Sequence, residues 1–383
     1  MNVAILLLNE GRGSGEVARE HVRHLIKLGH KVYFMFPGNT DEIVGAININ
    51  INIHTDIMPV HEYLPSAGEH QKQVARMDHM EMDKYLSDYK LALETIAHDV
   101  DIFIAHHANV SCVAVHAIAK KHKKPYVVFV HGTGIEPRHN NFWNDKNWEL
   151  IERSLLEANG LIVTTKYVRD KLVKPLVEVD DDKFLILPCG VDLENFSPNN
   201  VEGIKEKYNL PDTYVICPGA LTKSKGPQNI VKASLEYSEY AETIFIGAGD
   251  LKNTLENDLD NRGSFLGFVS SEDKAKLINA ATLLVAAPEK KEHFGIIYAE
   301  ALAGATPCVA YEGGGVGSII TSTEGVLTER SPKVLGEKIK YLLQNSGLRR
   351  QMGASCRARA EKLFNYDELV KELVEWLLPM IKL

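Results

Sequence analysis

Two successive trains of short, continuously apolar runs constrain this chain more than any other feature. The first comprises "VAILLL", "KVYFMF", "DIFIA", "YVVFV", "GLIVTT" and "FLILP", with helix-like segments such as Glu16–Leu28 and Ser111–His122 between them. The second follows "LPCGVDLENFSP" and comprises "TYVICPG", "ETIFIGAG", "ATLLVAA", "TPCVAY" and "EGVLT". β-Branched runs without polar alternation are strands covered on both faces, which is the condition of a parallel sheet. Each train therefore predicts a doubly wound α/β domain. The length of 383 residues suits two such domains. The Pro/Gly-punctuated stretch Leu187–Pro198 reads as the hinge. The expected division is 1–188, 189–365, and a C-terminal helix over 366–383.

Composition narrows the function classes. Hydrophobic residues make up 45% and charged residues 25%, with a net charge of −8. Neither half is a basic module, which argues against nucleic acid as a partner. The five cysteines form no C-x-x-C pair and read as buried thiols of a cytoplasmic protein. The N-terminus has no basic leader, and no apolar stretch is long enough to cross a bilayer. The C-terminal "DELVKELVEWLLPMIKL" reads as an amphipathic helix broken at Pro379 that closes the fold. Peripheral membrane contact is the second reading of that helix, because its polar face is not strongly basic. The "INININI" run (47–53) predicts an edge strand or hairpin, and Lys120–Lys124 are expected to face the negative end of the preceding helix.

Several Gly-rich turns follow strands. "NEGRGSGEVARE" (9–20) fails as a dinucleotide fingerprint, because Glu16 stands where a third glycine or alanine belongs. The second strand also ends "YFMFPG", without an acid for a ribose, so a nicotinamide cofactor is not expected. The second half is richer: "CPGALTKSKGP", "FIGAGD", "FLGFVS", "EKKEHFGIIYAEA" and "YEGGGVGS" all fall at strand ends. In an open parallel sheet that edge is where ligands bind.

Within "KEHFGIIYAEAL" (291–302), Glu300 shares a helix face with Ile296 and Ile297. A carboxylate among residues expected to be buried needs a polar partner. Taken alone, Glu292 also reads as an acid stabilised by the helix N-terminus, and His131 as a hydrogen-bonded strand-end histidine.

Glu292-x7-Glu300 with Phe294-Gly295 between, Lys225-Gly226 after a strand, and the hinge "LPCGVDLENFSP" together resemble the retaining glycosyltransferases of family 4, of the GT-B fold. The resemblance covers nearly the whole chain in order. It implies two Rossmann-like domains facing a central cleft, with the C-terminal helix packing back on the first. It implies a UDP- or GDP-hexose donor in the second domain and a sugar, lipid or small-molecule acceptor at the first. It implies that Glu300 takes the ribose hydroxyls, Glu292 the transferred sugar, and Lys225 the departing diphosphate. The free N–H groups of Phe294, Gly295 and Ile296 meet the phosphates, main-chain atoms of Phe268 and Val269 meet the base, and Gly13 and Gly219 allow close approach. His131 is implied at the donor sugar, with Lys225 and Glu292 the other catalytic residues. Arg12, His106, His107, Asn109 and Arg138 are expected on the acceptor side. If helical throughout, the eight-residue spacing spans ~12 Å, about the reach of a diphosphate with a ring at each end. No cofactor and no metal is expected: His61, His70 and His79 match no zinc spacing, and "VDDDK" (179–183) reads as a solvated turn. The region 61–86 reads as a long ligand-selecting loop.

Two positions depart from the family pattern. Ala220 stands where an arginine grips the diphosphate, so either Lys223, Arg12 or Arg138 supplies the charge or the donor is held more loosely. Cys189 replaces the hinge asparagine. A sugar-nucleotide epimerase or phosphorylase of the same architecture, and a non-enzymatic nucleotide-sugar-binding protein, are the alternative functions.

Overall fold

The apolar runs become the strands of two parallel sheets. The computed structural model describes residues 1–11, 13–38, 42–62 and 69–382. The chain divides into two units, Met1–Pro188 with Tyr366–Leu383, and Cys189–Asn365.

The first unit contains β1 (Asn2–Leu6), α1 (Gly13–Lys27), β2 (Lys31–Phe36), β3 (Ile47–Asn50), β4 (Met58–Val60), β5 (Gln71–Gln73), α2 (His79–Glu94), β6 (Ile102–His106), α3 (Val110–His122), β7 (Tyr126–Val130), α4 (Glu136–His139), α5 (Asp145–Leu156), β8 (Gly160–Val163) and β9 (Phe184–Ile186). Its main sheet has the order β3-β2-β1-β6-β7-β8-β9, and every pairing is parallel. The strand order reverses at β1, so the loops after β1 and β6 diverge there and open the sheet's carboxyl edge. Buried Val3, Ile5, Phe34, Phe103 and Phe129 show why these runs lack polar alternation.

The second unit contains α6 (Ile204–Tyr208), β10 (Tyr214–Pro218), α7 (Pro227–Ala233), β11 (Glu242–Ile246), α8 (Lys252–Leu259), β12 (Gly263–Phe265), α9 (Ser271–Asn279), β13 (Leu283–Ala286), α10 (Ile296–Ala303), β14 (Cys308–Tyr311), β15 (Gly325–Thr328), α11 (Pro332–Gln344) and α12 (Ser346–Leu363). The sheet order is β12-β11-β10-β13-β14-β15, parallel throughout, with its reversal between β10 and β13. Val215, Phe245, Val285 and Val309 pack there with Ile230, Leu335 and Ile339 from the covering helices.

The last helix, α13 (Tyr366–Ile381), belongs to the first unit and packs on α1. Leu369, Val370, Leu373 and Leu377 form its buried stripe, at the spacing of one helix face, and Lys27 Nζ lies 2.8 Å from Asp367 Oδ1. No described helix is long and apolar enough to cross a membrane.

Three expectations need correction. Pro379 does not break α13, which runs on to Ile381. The proline falls in the final turn, where it removes little of the hydrogen-bond ladder. The region 61–86 is not simply a long loop: part of it pairs as β5 with β4, and α2 begins at His79 behind a capping box of Asp78 and Glu81. Finally, α10 begins only at Ile296, so Glu292 precedes the helix and the twelve-ångström helical span does not apply.

Candidate functional site

In the second unit, three loops at the carboxyl edge interlock. The loop after β10 carries Lys225, and the loop after β13 carries Glu292. Lys225 Nζ lies 2.9 Å from Glu292 Oε1. Main-chain and side-chain hydrogen bonds fix the two loops together: Glu289 N–H donates to Ser224 O at 3.0 Å, and Asn229 Nδ2 donates to Ala287 O at 3.1 Å and to Glu289 Oε1 at 2.8 Å. Gly226 has φ +71, and an added Cβ would lie 1.8 Å from Ala287 O, so no side chain fits where the loops cross. The third loop, after β14, closes on the same point. Gly315 N–H donates to Glu292 O at 2.7 Å, and a Cβ on Gly314 would lie 2.1 Å from that oxygen. The glycines of "YEGGGVGS" thus clamp the backbone that presents Glu292.

Gly295, with φ 89, is the N-cap of α10, and Tyr298 N–H donates to its carbonyl at 3.0 Å. The N–H groups of its opening turn have no intrahelical acceptor and form the positive end of the helix dipole. Phe294 is buried beside that end, edge-on to Phe364 at 5.9 Å. Farther along α10, Glu300 is only 7% exposed. Its polar partner is Lys274 of α9, whose Nζ lies 2.6 Å from Oε1. The other carboxylate oxygen is buried and has no hydrogen-bond partner among the described residues. Ser270 caps α9 by accepting from Asp273 N–H at 3.0 Å, which sets the helix that carries Lys274. Just before it, Phe268 projects 80% exposed from the loop after β12.

Gly219, Lys225, Phe268, Val269, Glu292, Phe294, Gly295, Ile296 and Glu300 therefore all lie on, or just beyond, one edge of one sheet. Lys274 went unnoticed in the sequence, where it is one cation in the polar run "SEDKAKLIN". Arg330, in the turn after β15, also escaped notice; its Nη1 donates to Glu289 O. It stands beside the carboxyl-edge loops of the unit that carries Ala220.

In the first unit, β6 and β7 end in histidines. His106 Nδ1 lies 2.9 Å from His131 Nε2, and both rings are buried. His107 has φ 70, uncommon outside glycine, and its Nε2 lies 3.0 Å from Ser14 Oγ at the start of α1, one residue beyond Gly13. Asn109 caps α3 through Ser111 N–H at 2.7 Å, and its Nδ2 meets His61 Nε2 at 2.8 Å. Burial pushes His106 well below the ordinary histidine pKa and His61 down to about 4. Arg138 is bound to Asp145 at 2.7 Å and lies over the Trp148 ring. Arg12 lies outside the described residues.

Two family models match, one to each half: Glycosyltransferase Family 4 over residues 11–195 and Glycosyl transferases group 1 over residues 200–359. A D-inositol 3-phosphate glycosyltransferase of Xylanimonas cellulosilytica is 26% identical over 243 residues, covering 58% of this chain and 58% of that protein. A GDP-mannose-dependent monoacylated alpha-(1-6)-phosphatidylinositol monomannoside mannosyltransferase of Corynebacterium glutamicum is 27% identical over 205 residues, covering 49% of this chain and 54% of that protein. The chain thus spans little more than half the length of these curated relatives. Sucrose-phosphate synthase from Thermosynechococcus elongatus superposes with a TM-score of 0.80 at 16% identity, covering 100% of this chain and 99% of that one. Anabaena HepE in complex with UDP-glucose gives a TM-score of 0.74 at 16% identity, covering 98% of this chain and 99% of that one. The fold is that of the GT-B glycosyltransferases. The chain belongs to the family-4-like glycosyltransferases.

Proposed function

We propose that this glycosyltransferase moves a hexosyl group from a nucleoside-diphosphate sugar to an acceptor hydroxyl, with retention at the anomeric carbon. The observation that carries this reading is the pair of carboxylates placed before and along α10. Glu300 holds a buried oxygen that lacks a donor among the described residues, and Glu292 is fixed against the cation Lys225 beside the opening turn of the helix. Ribose hydroxyls are the donors that suit Glu300. A diphosphate suits the helix N-terminus and Lys225. The transferred sugar then falls to Glu292. The complexes of HepE with UDP and UDP-glucose support a nucleotide-sugar donor for this fold.

In this scheme the bond from the anomeric carbon to the phosphate oxygen breaks, and the bond to the acceptor oxygen forms on the same face. The acceptor's proton passes to the leaving diphosphate. The protein's contribution is positioning and stabilisation of the developing phosphate charge by Lys225 and the helix N–H groups. No step is assigned to a metal or a cofactor. The first unit is assigned the acceptor, with His107 and Asn109 at the edge where His131 stands.

A thermal-shift panel of UDP, GDP, ADP and their hexose conjugates tests the donor. A ligand at 100 times its dissociation constant adds ~2.7 kcal/mol of apparent stability. One nucleotide series should raise Tm, and its sugar conjugate should be consumed only when an acceptor is supplied. Consumption without an acceptor, yielding an isomer of the donor, would show an epimerase instead.

A further inference from the structure

The parallel register pairs His106 of β6 with Phe129 of β7, and His131 lies two residues beyond Phe129 on the same face of the strand. The Phe129 ring stacks nearly parallel to both imidazoles, at 5.1 Å and 17° from His106 and at 4.2 Å and 9° from His131. The two histidines are thereby locked edge to edge, with Nδ1 of one 2.9 Å from Nε2 of the other. A hydrogen bond between two imidazole nitrogens contains one proton, so one ring donates and the other accepts.

The remaining nitrogen of His106 decides which. His106 Nε2 is buried and has no hydrogen-bond partner among the described residues. If Nδ1 accepted from His131, a neutral His106 would carry its proton on Nε2 and bury an N–H with no acceptor. If Nδ1 donates, Nε2 is a bare lone pair, and no N–H is orphaned. Orphaned buried N–H groups are the rarer and more costly fault. A charged His106 would need both nitrogens protonated in an apolar enclosure, and burial drives its pKa well below the usual histidine value.

We propose that His106 is a positioning residue that donates from Nδ1 to His131 Nε2 and so fixes His131 as the Nδ1–H tautomer. His131 then carries its one proton on Nδ1. Its Nε2 lone pair is occupied and does not serve as a general base. This assignment rests on the reading of His131 as an active-site residue, and it agrees with a reaction in which the leaving diphosphate takes the acceptor's proton.

Long-range proton–nitrogen correlation spectra of the full chain, labelled with ¹⁵N-histidine, report the tautomer directly. His131 is assigned by the signals that vanish in His131→Gln. The expected wild-type result is a neutral His131 with the proton on Nδ1 and an unprotonated Nε2. His106→Asn retains an amide donor near the same place and should preserve that tautomer. His106→Phe retains the ring on Phe129 but loses the donor, and should leave His131 as a mixture. In the same variants kcat should fall about tenfold in His106→Phe and recover in His106→Asn, with donor KM little changed in both. A wild-type His131 protonated on Nε2 overturns the proposal even if neither variant folds, and so does an unchanged single tautomer in His106→Phe. Should His131→Gln retain wild-type turnover, the active-site reading of His131 fails while the tautomer result stands on its own.

Discussion

Lys274 Nζ stands 2.6 Å from Glu300 Oε1, while the second oxygen of that carboxylate is buried without a hydrogen-bond donor among the described residues. The pair explains how an acid sits on an apolar face of α10, and the unsatisfied oxygen is where the proposed function places the ribose hydroxyls. Glu300→Gln retains the shape and loses the charge. It should weaken nucleoside-diphosphate binding by roughly 10- to 100-fold, the equivalent of one charge-assisted hydrogen bond of ~1.5–3 kcal/mol. Calorimetric titration with the nucleotide selected by thermal shift checks this. A 2′-deoxy nucleotide should bind wild type more weakly than its ribo counterpart and should lose most of that difference in Glu300→Gln.

Lys225 carries a full positive charge to the loop where the diphosphate is assigned, and Glu292 holds it there at 2.9 Å. Lys225→Ala should lower kcat/KM by roughly 10- to 100-fold with little loss of folding stability, because half-exposed ion pairs contribute ~0–1 kcal/mol. Steady-state kinetics beside a melting curve separate the two effects.

Gly226→Ala tests the loop crossing beneath that lysine. The positive φ and the 1.8 Å approach to Ala287 O leave no space for a methyl group. The substitution should cost more than ~1 kcal/mol in stability and displace Lys225. Urea denaturation and donor affinity should therefore both change, unlike in Lys225→Ala.

Acid should destabilise the first unit through its buried histidines. Burial, with His24 adding to it, lowers the His21 pKa to about 3, and burial lowers His106 as well. The unfolded chain binds protons at these residues below the ordinary pKa of ~6.5, whereas the folded chain does not. Each such group therefore removes about 1.4 kcal/mol per pH unit as pH falls from ~6.5 toward its folded pKa. Urea midpoints measured at pH 7 and pH 5 should show this loss. His21→Phe, which keeps a ring between Phe129 and Tyr366, should reduce it.

Leu373 is fully buried in the stripe by which α13 joins the first unit. Leu373→Ala should cost ~2–5 kcal/mol, as core leucine truncations do. A chemical denaturation curve checks the magnitude, and an effect under 0.5 kcal/mol would show α13 to be dispensable for that unit.

The two sheets were legible because parallel strands buried on both faces leave unbroken apolar runs such as "YVVFV" and "TIFI". β4 and β5 were not, because "MPV" and "QKQ" are three residues each and carry no shared apolar period. The twelve-ångström helical span from Glu292 to Glu300 fails because Gly295, at φ 89, turns the chain before α10 begins at Ile296. Lys274 faces Glu300 through the packing of α9 on α10, which no local pattern encodes. The two histidines could have been paired from sequence, since His106 and His131 end consecutive strands that the topology makes neighbours. What could not be read was that one nitrogen of His106 would be left without a partner.

A crystal structure of the chain with its preferred nucleoside diphosphate tests the central claim most directly. The expected density places the ribose hydroxyls within hydrogen-bond reach of the Glu300 carboxylate, and the phosphates against the first turn of α10 and Lys225. Nucleotide bound elsewhere, or Glu300 still contacting Lys274 alone with no ligand atom near it, would contradict the account.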